Sequence, residues 1–178
     1  MFTLPSLLSC PLFSVEEDKL VQFVVFGTPV PKARGRAVHN KNGSIRIVNA
    51  SKRSELWFSN TVKSIMGGLI DPQSTYFHQD FLEISIFFEF QRPPSHYKGN
   101  NRASNLLKED ALLLPTQSDI DNLAKFVLDS LNGVLYKDDS RVVALFVSKI
   151  WSRDSKSPGS TTVRIRSVAN AYTLVPNV

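Results

Sequence analysis

Residues 119–139 read DIDNLAKFVLDSLNGVLYKDD, and the rest of the chain can be arranged around this stretch. An apolar residue recurs at every fourth position within it: Leu123, Val127 and Leu131. That spacing is typical of a helix that buries one apolar stripe. Gly133 can end the helix, because glycine adopts the left-handed conformation that other residues avoid. The stretch therefore predicts an amphipathic helix that begins near Asp119.

The charged residues of this helix follow the same four-residue spacing and would share one polar face: Asp121, Lys125 and Asp129. Two aspartates, Asp119 and Asp121, stand at the helix start, and the pair Asp138 and Asp139 precedes the next predicted strand. This layout brings carboxylates from a helix start and from a loop towards one point. A hard divalent cation prefers such oxygen ligands.

The acidic residues match the ligand preference of Mg²⁺, which takes a few carboxylates and completes its shell with waters and substrate phosphate. Asp119, Asp121 and Asp139 supply such a set, with Asp138 as a neighbour or helper. A bound metal can generate a nucleophile from water, and Lys125 could pair with the carboxylates or steady the phosphate. Taken singly, these residues have ordinary explanations: a helix cap, a turn and a surface ion pair. Their grouping in one short stretch favours a metal site.

Length and composition fit one ordinary globular domain. A chain of 178 residues can bury a core, and its 42% hydrophobic and 21% charged residues exclude a disordered class. The single cysteine, Cys10, excludes an intramolecular disulfide and fits a reducing compartment. No apolar run approaches the roughly 20 residues that span a bilayer. We therefore expect a cytoplasmic protein without a membrane segment.

Basic residues are concentrated in the N-terminal half of the chain. The formal charge is +5, and the stretch from Lys19 to Arg53 holds eight basic residues and no acidic one. A solvated surface usually mixes charge signs, so this stretch indicates a contact with a polyanion. Side chains at two-residue spacing in extended chain project to one side, as phosphate contacts would. The predicted phosphate contacts, which become DNA contacts if the polyanion is DNA, are Lys32, Arg34, Arg36, Lys52 and Arg53.

The remaining pattern predicts an α+β fold with a mixed β-sheet and two main helices. Strands are expected over residues 20–26, 44–48, 80–91, 141–151 and 161–167, and a second helix over 51–66. A long loop, 92–115, leads into the acidic helix. We divide the chain into an N-terminal extension (1–19), one main domain (20–167) and a C-terminal tail (168–178).

Three segments carry a resemblance to a known family: FGTPVPKARGR (26–36), RPPSHYKGN (92–100) and SDIDNLAKFVLDSLNGVLYKDDSRVVALFVSK (118–149). In order and spacing they resemble the RusA-type Holliday-junction resolvases. Those are small, homodimeric, Mg²⁺-dependent endodeoxyribonucleases found largely in bacteria and their phages. The resemblance implies helices packed on a mixed sheet, and a homodimer whose two active sites face one four-way junction.

The resemblance also implies roles for individual residues. Metal-binding catalytic positions fall on Asp119, Asp121 and Asp139, and the catalytically important lysine falls on Lys125. Asp138 falls on the other member of the acidic pair. Mg²⁺ is the implied cofactor, with Mn²⁺ as a substitute.

Two positions depart from the family pattern. The family usually has Lys-Pro before its first aspartate, whereas Gln117 and Ser118 stand here, although Ser118 can cap the helix. Arg141 replaces the common glutamine and adds positive charge. Neither departure removes a carboxylate of the predicted catalytic set.

The leading hypothesis is a metal-dependent, structure-selective DNA endonuclease that nicks opposing strands of a branched junction. A non-catalytic branched-DNA-binding protein with the same fold is the first alternative. Crowded carboxylates without a metal would be unfavourable, which argues against it. The second alternative is a phosphohydrolase that acts on small nucleotides. The sequence lacks the glycine-rich phosphate cradle expected for such an enzyme.

Overall fold

The structure is a computed structural model that describes most of the chain: residues 13–16, 19–67, 75–77, 80–109, 111 and 114–168. The predicted C-terminal tail beyond residue 168 lies outside the described residues. So do residues 1–12, 17 and 18 of the predicted extension.

Within the described residues the chain forms seven strands and two α-helices. The strands are β1 (Phe13–Glu16), β2 (Leu20–Phe26), β3 (Arg36–His39), β4 (Ile45–Val48), β5 (Phe81–Phe90), β6 (Val142–Trp151) and β7 (Ser160–Val168). The helices are α1 (Lys52–Met66) and α2 (Ile120–Leu131). Short 3₁₀ turns interrupt the loop between β5 and α2 and precede β6. None of the described helices is long and apolar enough to cross a membrane.

Five strands form one mixed sheet in the order β1-β2-β7-β5-β6. Neighbouring strands are antiparallel, except that β5 and β6 run parallel. The remaining strands, β3 and β4, pair with each other as a separate hairpin. The predicted α+β class, mixed sheet and two helices are confirmed, and part of the predicted extension joins the sheet as β1.

The core is built from alternating apolar side chains of β5 and from the apolar stripe of α2. One face of β5 is fully buried and consists of large apolar side chains: Leu82, Ile84, Ile86, Phe88 and Phe90. The predicted stripe of α2 is buried as well: Leu123, Val127 and Leu131. The two helices contact each other through Phe58 and Phe126, whose rings meet edge to face at 5.7 Å. These contacts fix α2 on the sheet with its polar face outward.

The parallel pair of β5 and β6 determines where α2 lies. Parallel strands need a crossover connection, and here the crossover contains the loop after β5 and the whole of α2. The chain then turns at Gly133, whose φ is +71°, and β6 runs back along the helix. The end of β6 therefore lies beside the start of α2, where Lys149 contacts Ser118.

Candidate active site

The carboxylates at the start of α2 are exposed and are not used as helix caps. Asp119 occupies the N-cap position, yet its side chain accepts no capping hydrogen bond from the helix backbone. One of its oxygens accepts a hydrogen bond from the Asn122 side chain at 3.3 Å instead. Asp121 lies in the first turn and is also exposed. The common explanation of such aspartates as caps therefore does not apply. Ser118, which was expected to cap the helix, lies outside the N-cap position.

The second acidic pair lies in a 3₁₀ turn directly before β6. Asp138 caps this turn, because its Oδ1 accepts a hydrogen bond from the Ser140 backbone N–H at 2.9 Å. Hydrogen bonding with the Ser140 side chain, and then with its backbone N–H, lowers the pKa of the Asp138 carboxyl. Asp139 is half-buried and accepts no such bond from the turn.

A buried tyrosine ties the segment before the second acidic pair to α2. The Tyr136 hydroxyl donates a hydrogen bond to the Leu128 carbonyl at 3.1 Å, in the second half of the helix. Burial raises the pKa of Tyr136 far above its usual value, and the charges of Asp139 and Asp129 raise it further.

The predicted metal ligands come from two places, the start of α2 and the 3₁₀ turn before β6. In the part of the chain that the structure describes, no three His, Cys, Asp or Glu side chains form a cluster that could hold a metal. The donor type still fits Mg²⁺, which binds through one or two carboxylates and retains several waters. Asp119 and Asp121 offer such oxygens from the first turn. The structure does not bring Asp139 into a preformed set with them.

Lys125 lies exposed on the same face of α2, one turn after Asp121. Within the described residues its ammonium has no ion pair or hydrogen bond. The neighbouring carboxylate one turn further along, Asp129, is bound by another lysine. Lys125 is therefore available to a ligand on this face.

Lys32, one of the predicted DNA contacts, is bound to two carboxylates in the structure. Its ammonium lies 2.6 Å from Asp129 Oδ2 and also pairs with Glu55, and its side chain is only 18% exposed. Burial alone would lower the pKa of Lys32, but hydrogen bonds and charges from Asp129 and Glu55 raise it overall. Its backbone N–H also donates to the Asn122 carbonyl at 2.8 Å. Lys32 therefore links the basic segment to both helices, and its role as a phosphate contact stays a prediction.

The other predicted DNA contacts are exposed, and three of them line one groove. The groove has a volume of about 710 Å³ and lies between the hairpin of β3 and β4 and the first turns of α1. Its basic residues are Arg36, Lys52 and Arg53, and no acidic residue lines it. Its apolar lining comes chiefly from Val38, Val48 and Leu56. Arg34 is exposed on the segment that leads into this groove.

The sequence from residue 27 to residue 166 matches the Endodeoxyribonuclease RusA family. The chain belongs to the RusA family. A relative from Bacillus subtilis (strain 168), called Uncharacterized protein YqaN, is 30% identical over 150 residues, which cover 84% of this chain and 97% of the relative. The matched region contains both helices and strands β3 to β6 whole.

One residue beside the RusA-family site was missed by the sequence reasoning. Lys149 lies on β6, and its ammonium donates to the Ser118 carbonyl at 2.6 Å and to the Gln117 carbonyl at 3.4 Å. Only the return path of β6 along α2 brings these residues together. The available signal was a single charged residue in a largely apolar strand.

Proposed function

We propose that this RusA-family chain is a Mg²⁺-dependent, structure-selective DNA endonuclease that resolves four-way junctions by paired symmetric nicks. The observation that carries the proposal is the uncapped, exposed Asp119 at the start of α2, inside the region that matches the family. A carboxylate at an N-cap position normally contributes to helix stability. Asp119 makes no capping hydrogen bond, so its carboxylate is available to bind a ligand.

Asp119, Asp121 and Asp139 would hold the metal, with Asp138 as a helper through the oxygen that Ser140 does not occupy. A bound Mg²⁺ supplies activated water and neutralises charge on the phosphoryl group, and Mn²⁺ would substitute for it. The Lys125 ammonium faces solvent on the same side of α2 and would stabilise negative charge that develops on the phosphate. Asp139 would contribute its carboxylate from the turn before β6, whereas Asp119 and Asp121 contribute theirs from the start of α2.

The DNA strand would run from the acidic helix into the basic groove. The segment that carries Arg34 and Arg36 begins at Lys32, whose backbone is bonded to α2, and ends at the hairpin. Phosphates would be contacted by the exposed cations Arg34, Arg36, Lys52 and Arg53. Such contacts release counterions, so binding would weaken steeply with salt.

A homodimer would present two such sites to one junction. Within the described residues β6 pairs on one side only, with β5, and leaves its other edge open. The strand exposes several large apolar side chains: Val143, Leu145, Phe146 and Ile150. An open edge with exposed apolar residues is a surface for pairing with another chain. A two-fold dimer would match the near two-fold symmetry of a four-way junction.

One observation favours the alternative of a non-catalytic branched-DNA-binding protein: the described residues contain no three-carboxylate cluster. Cleavage of a synthetic four-way junction in Mg²⁺, beside linear duplex and an EDTA control, decides between the two. Metal-dependent symmetric nicking of the junction alone is the expected result. Tight binding without cleavage in both Mg²⁺ and Mn²⁺ would establish the binding protein instead.

A further inference from the structure

Lys149 reaches from the sheet to the backbone that precedes the catalytic helix. It pairs in the ladder with Phe88, which is buried on the core face of β5, so the lysine stem leaves the sheet on the side covered by α2. Its ammonium lies 2.6 Å from the Ser118 carbonyl oxygen and 3.4 Å from that of Gln117. The half-buried Lys149 ammonium therefore binds two consecutive carbonyls of the loop. Hydrogen bonds from a charged donor are stronger than those from a neutral one.

The residue that Lys149 holds has an unfavourable backbone conformation. Ser118 has a φ of +63°, in the left-handed region that residues with a Cβ rarely adopt. Such a conformation persists only where the surrounding structure imposes it. Proline at this position would fix φ near −65°, so the Lys-Pro usual in the family is incompatible with this backbone. Here the conformation depends on contacts from outside the loop.

The conformation of Ser118 sets the direction in which the chain enters α2. Asp119 follows directly, with extended dihedral angles, and its side chain bonds to Asn122 rather than to the helix backbone. If Ser118 relaxed to a negative φ, the orientation of Asp119 would change with it. The carboxylate could then fold back as an ordinary N-cap, which is the favoured role of aspartate there.

We propose that Lys149 is a positioning residue: by holding the Gln117 and Ser118 carbonyls it keeps Ser118 left-handed and the Asp119 carboxylate directed away from the helix backbone. This inference rests on the proposed function, in which Asp119 belongs to the catalytic set. Lys149 acts through the backbone and contacts neither DNA nor metal.

The test combines loss of the cation with relief of the strained backbone. Lys149→Met keeps the apolar stem and removes the ammonium, and it should lower kcat on a four-way junction by about 10- to 100-fold, because small misplacements of catalytic groups have effects of that size. The KM should change less than about twofold. Adding Ser118→Gly should restore most of the lost kcat, since glycine adopts a φ of +63° without strain. Lys156→Met removes an exposed lysine and is the matched control.

Two further variants keep the inference falsifiable if Lys149→Met folds poorly. Ser118→Gly alone should keep wild-type kcat, and Lys149→Arg should retain much of it because arginine can still donate to both carbonyls. In the metal-free protein, the NMR signals of the Asp119 carboxyl and amide should shift in Lys149→Met. They should return towards wild type in the double variant.

Several results would overturn the proposal. A raised KM with unchanged kcat would identify Lys149 as a DNA contact, and a failure of Ser118→Gly to restore kcat would exclude action through the backbone. If the Asp119 NMR signal did not shift in Lys149→Met, action through the backbone would also be excluded. If the wild-type protein cleaves no junction, the proposed function fails, whereas the NMR comparison still decides whether Lys149 positions Asp119.

Discussion

The Lys32 ammonium lies 2.6 Å from the Asp129 carboxylate, although the two residues are far apart in the chain. Asp129 is also one helical turn from Lys125, with which it would otherwise form an i,i+4 ion pair. By binding Asp129, Lys32 leaves the Lys125 ammonium available on the proposed catalytic face. A residue of the basic segment thus influences which charged side chains of α2 remain available to a ligand.

Removal of the Lys32 ammonium should destabilise the fold. Lys32→Met would leave the partly buried Glu55 and Asp129 carboxylates without their cation, which should lower the free energy of unfolding by about 2–4 kcal/mol. Urea denaturation measures this difference. The exposed Lys52→Met is the control and should change stability by less than about 0.5 kcal/mol. Equal effects of the two variants would mean that the ion pairs of Lys32 contribute no net stability.

Neutralising Asp121 should separate binding from cleavage. Asp121→Asn removes one charge from the proposed metal set and leaves the basic groove intact. Junction affinity should therefore be retained while the cleavage rate falls at least about 100-fold, since changes to residues that merely support metal ligands already cost about 10- to 100-fold. Gel-shift and single-turnover cleavage assays measure the two quantities. Asp80→Asn, which alters an acid paired with Lys19 outside the site, should cleave normally. Wild-type cleavage by Asp121→Asn would count heavily against the assigned site.

The basic groove should control the salt dependence of DNA binding. Replacing both Arg36 and Arg53 with alanine should weaken junction binding and reduce the slope of log K against log salt concentration by about 2, one for each lost phosphate contact. Fluorescence anisotropy across a salt series measures the slope. Lys156→Ala serves as a single-charge control away from the groove. An unchanged slope in the double variant would show that DNA passes elsewhere.

Tyr136 should make the fold sensitive to alkaline pH. Its pKa in the folded protein is raised by burial and by Asp139 and Asp129. The stability linked to this group is therefore fully present below the pKa of an unfolded-chain tyrosine, about 10, and is lost as pH rises above it. Tyr136→Phe should show a smaller loss of stability between pH 9 and pH 11 than wild type does. It should also lose about 1 kcal/mol at neutral pH with the hydrogen bond to Leu128. If the free energies of unfolding of wild type and Tyr136→Phe changed in parallel with pH, this account would be contradicted.

Periodicity predicted the elements of this fold well, because it depends only on local sequence. The strand over residues 20–26 has the predicted bounds, and α2 begins and ends within a residue or two of the prediction. The left-handed turn at Gly133 is confirmed as well. Each of these features is determined by residues only a few positions apart.

Contacts between distant segments could not be predicted in the same way. The partners of Lys32 lie on two different helices, and no local pattern joins them to a lysine in the N-terminal segment. The expected convergence of Asp139 with Asp119 and Asp121 stays a prediction, because it depends on how the turn before β6 lies against the start of α2 and not on local sequence. Within the described residues no three His, Cys, Asp or Glu side chains form a preformed metal cluster.

The order of strands also bears on when the protein can fold. The last strand in sequence, β7, lies between β2 and β5 and supplies the hydrogen-bonding edge for both. Until residues 160–168 have left the ribosome, β2 has no partner in the centre of the sheet, and the support for β5 and β6 is incomplete. Pairings between such distant segments also form slowly. The nascent chain therefore cannot assemble the sheet beneath α2 before synthesis is nearly complete, and its nuclease surface is formed only after translation has passed the last strand.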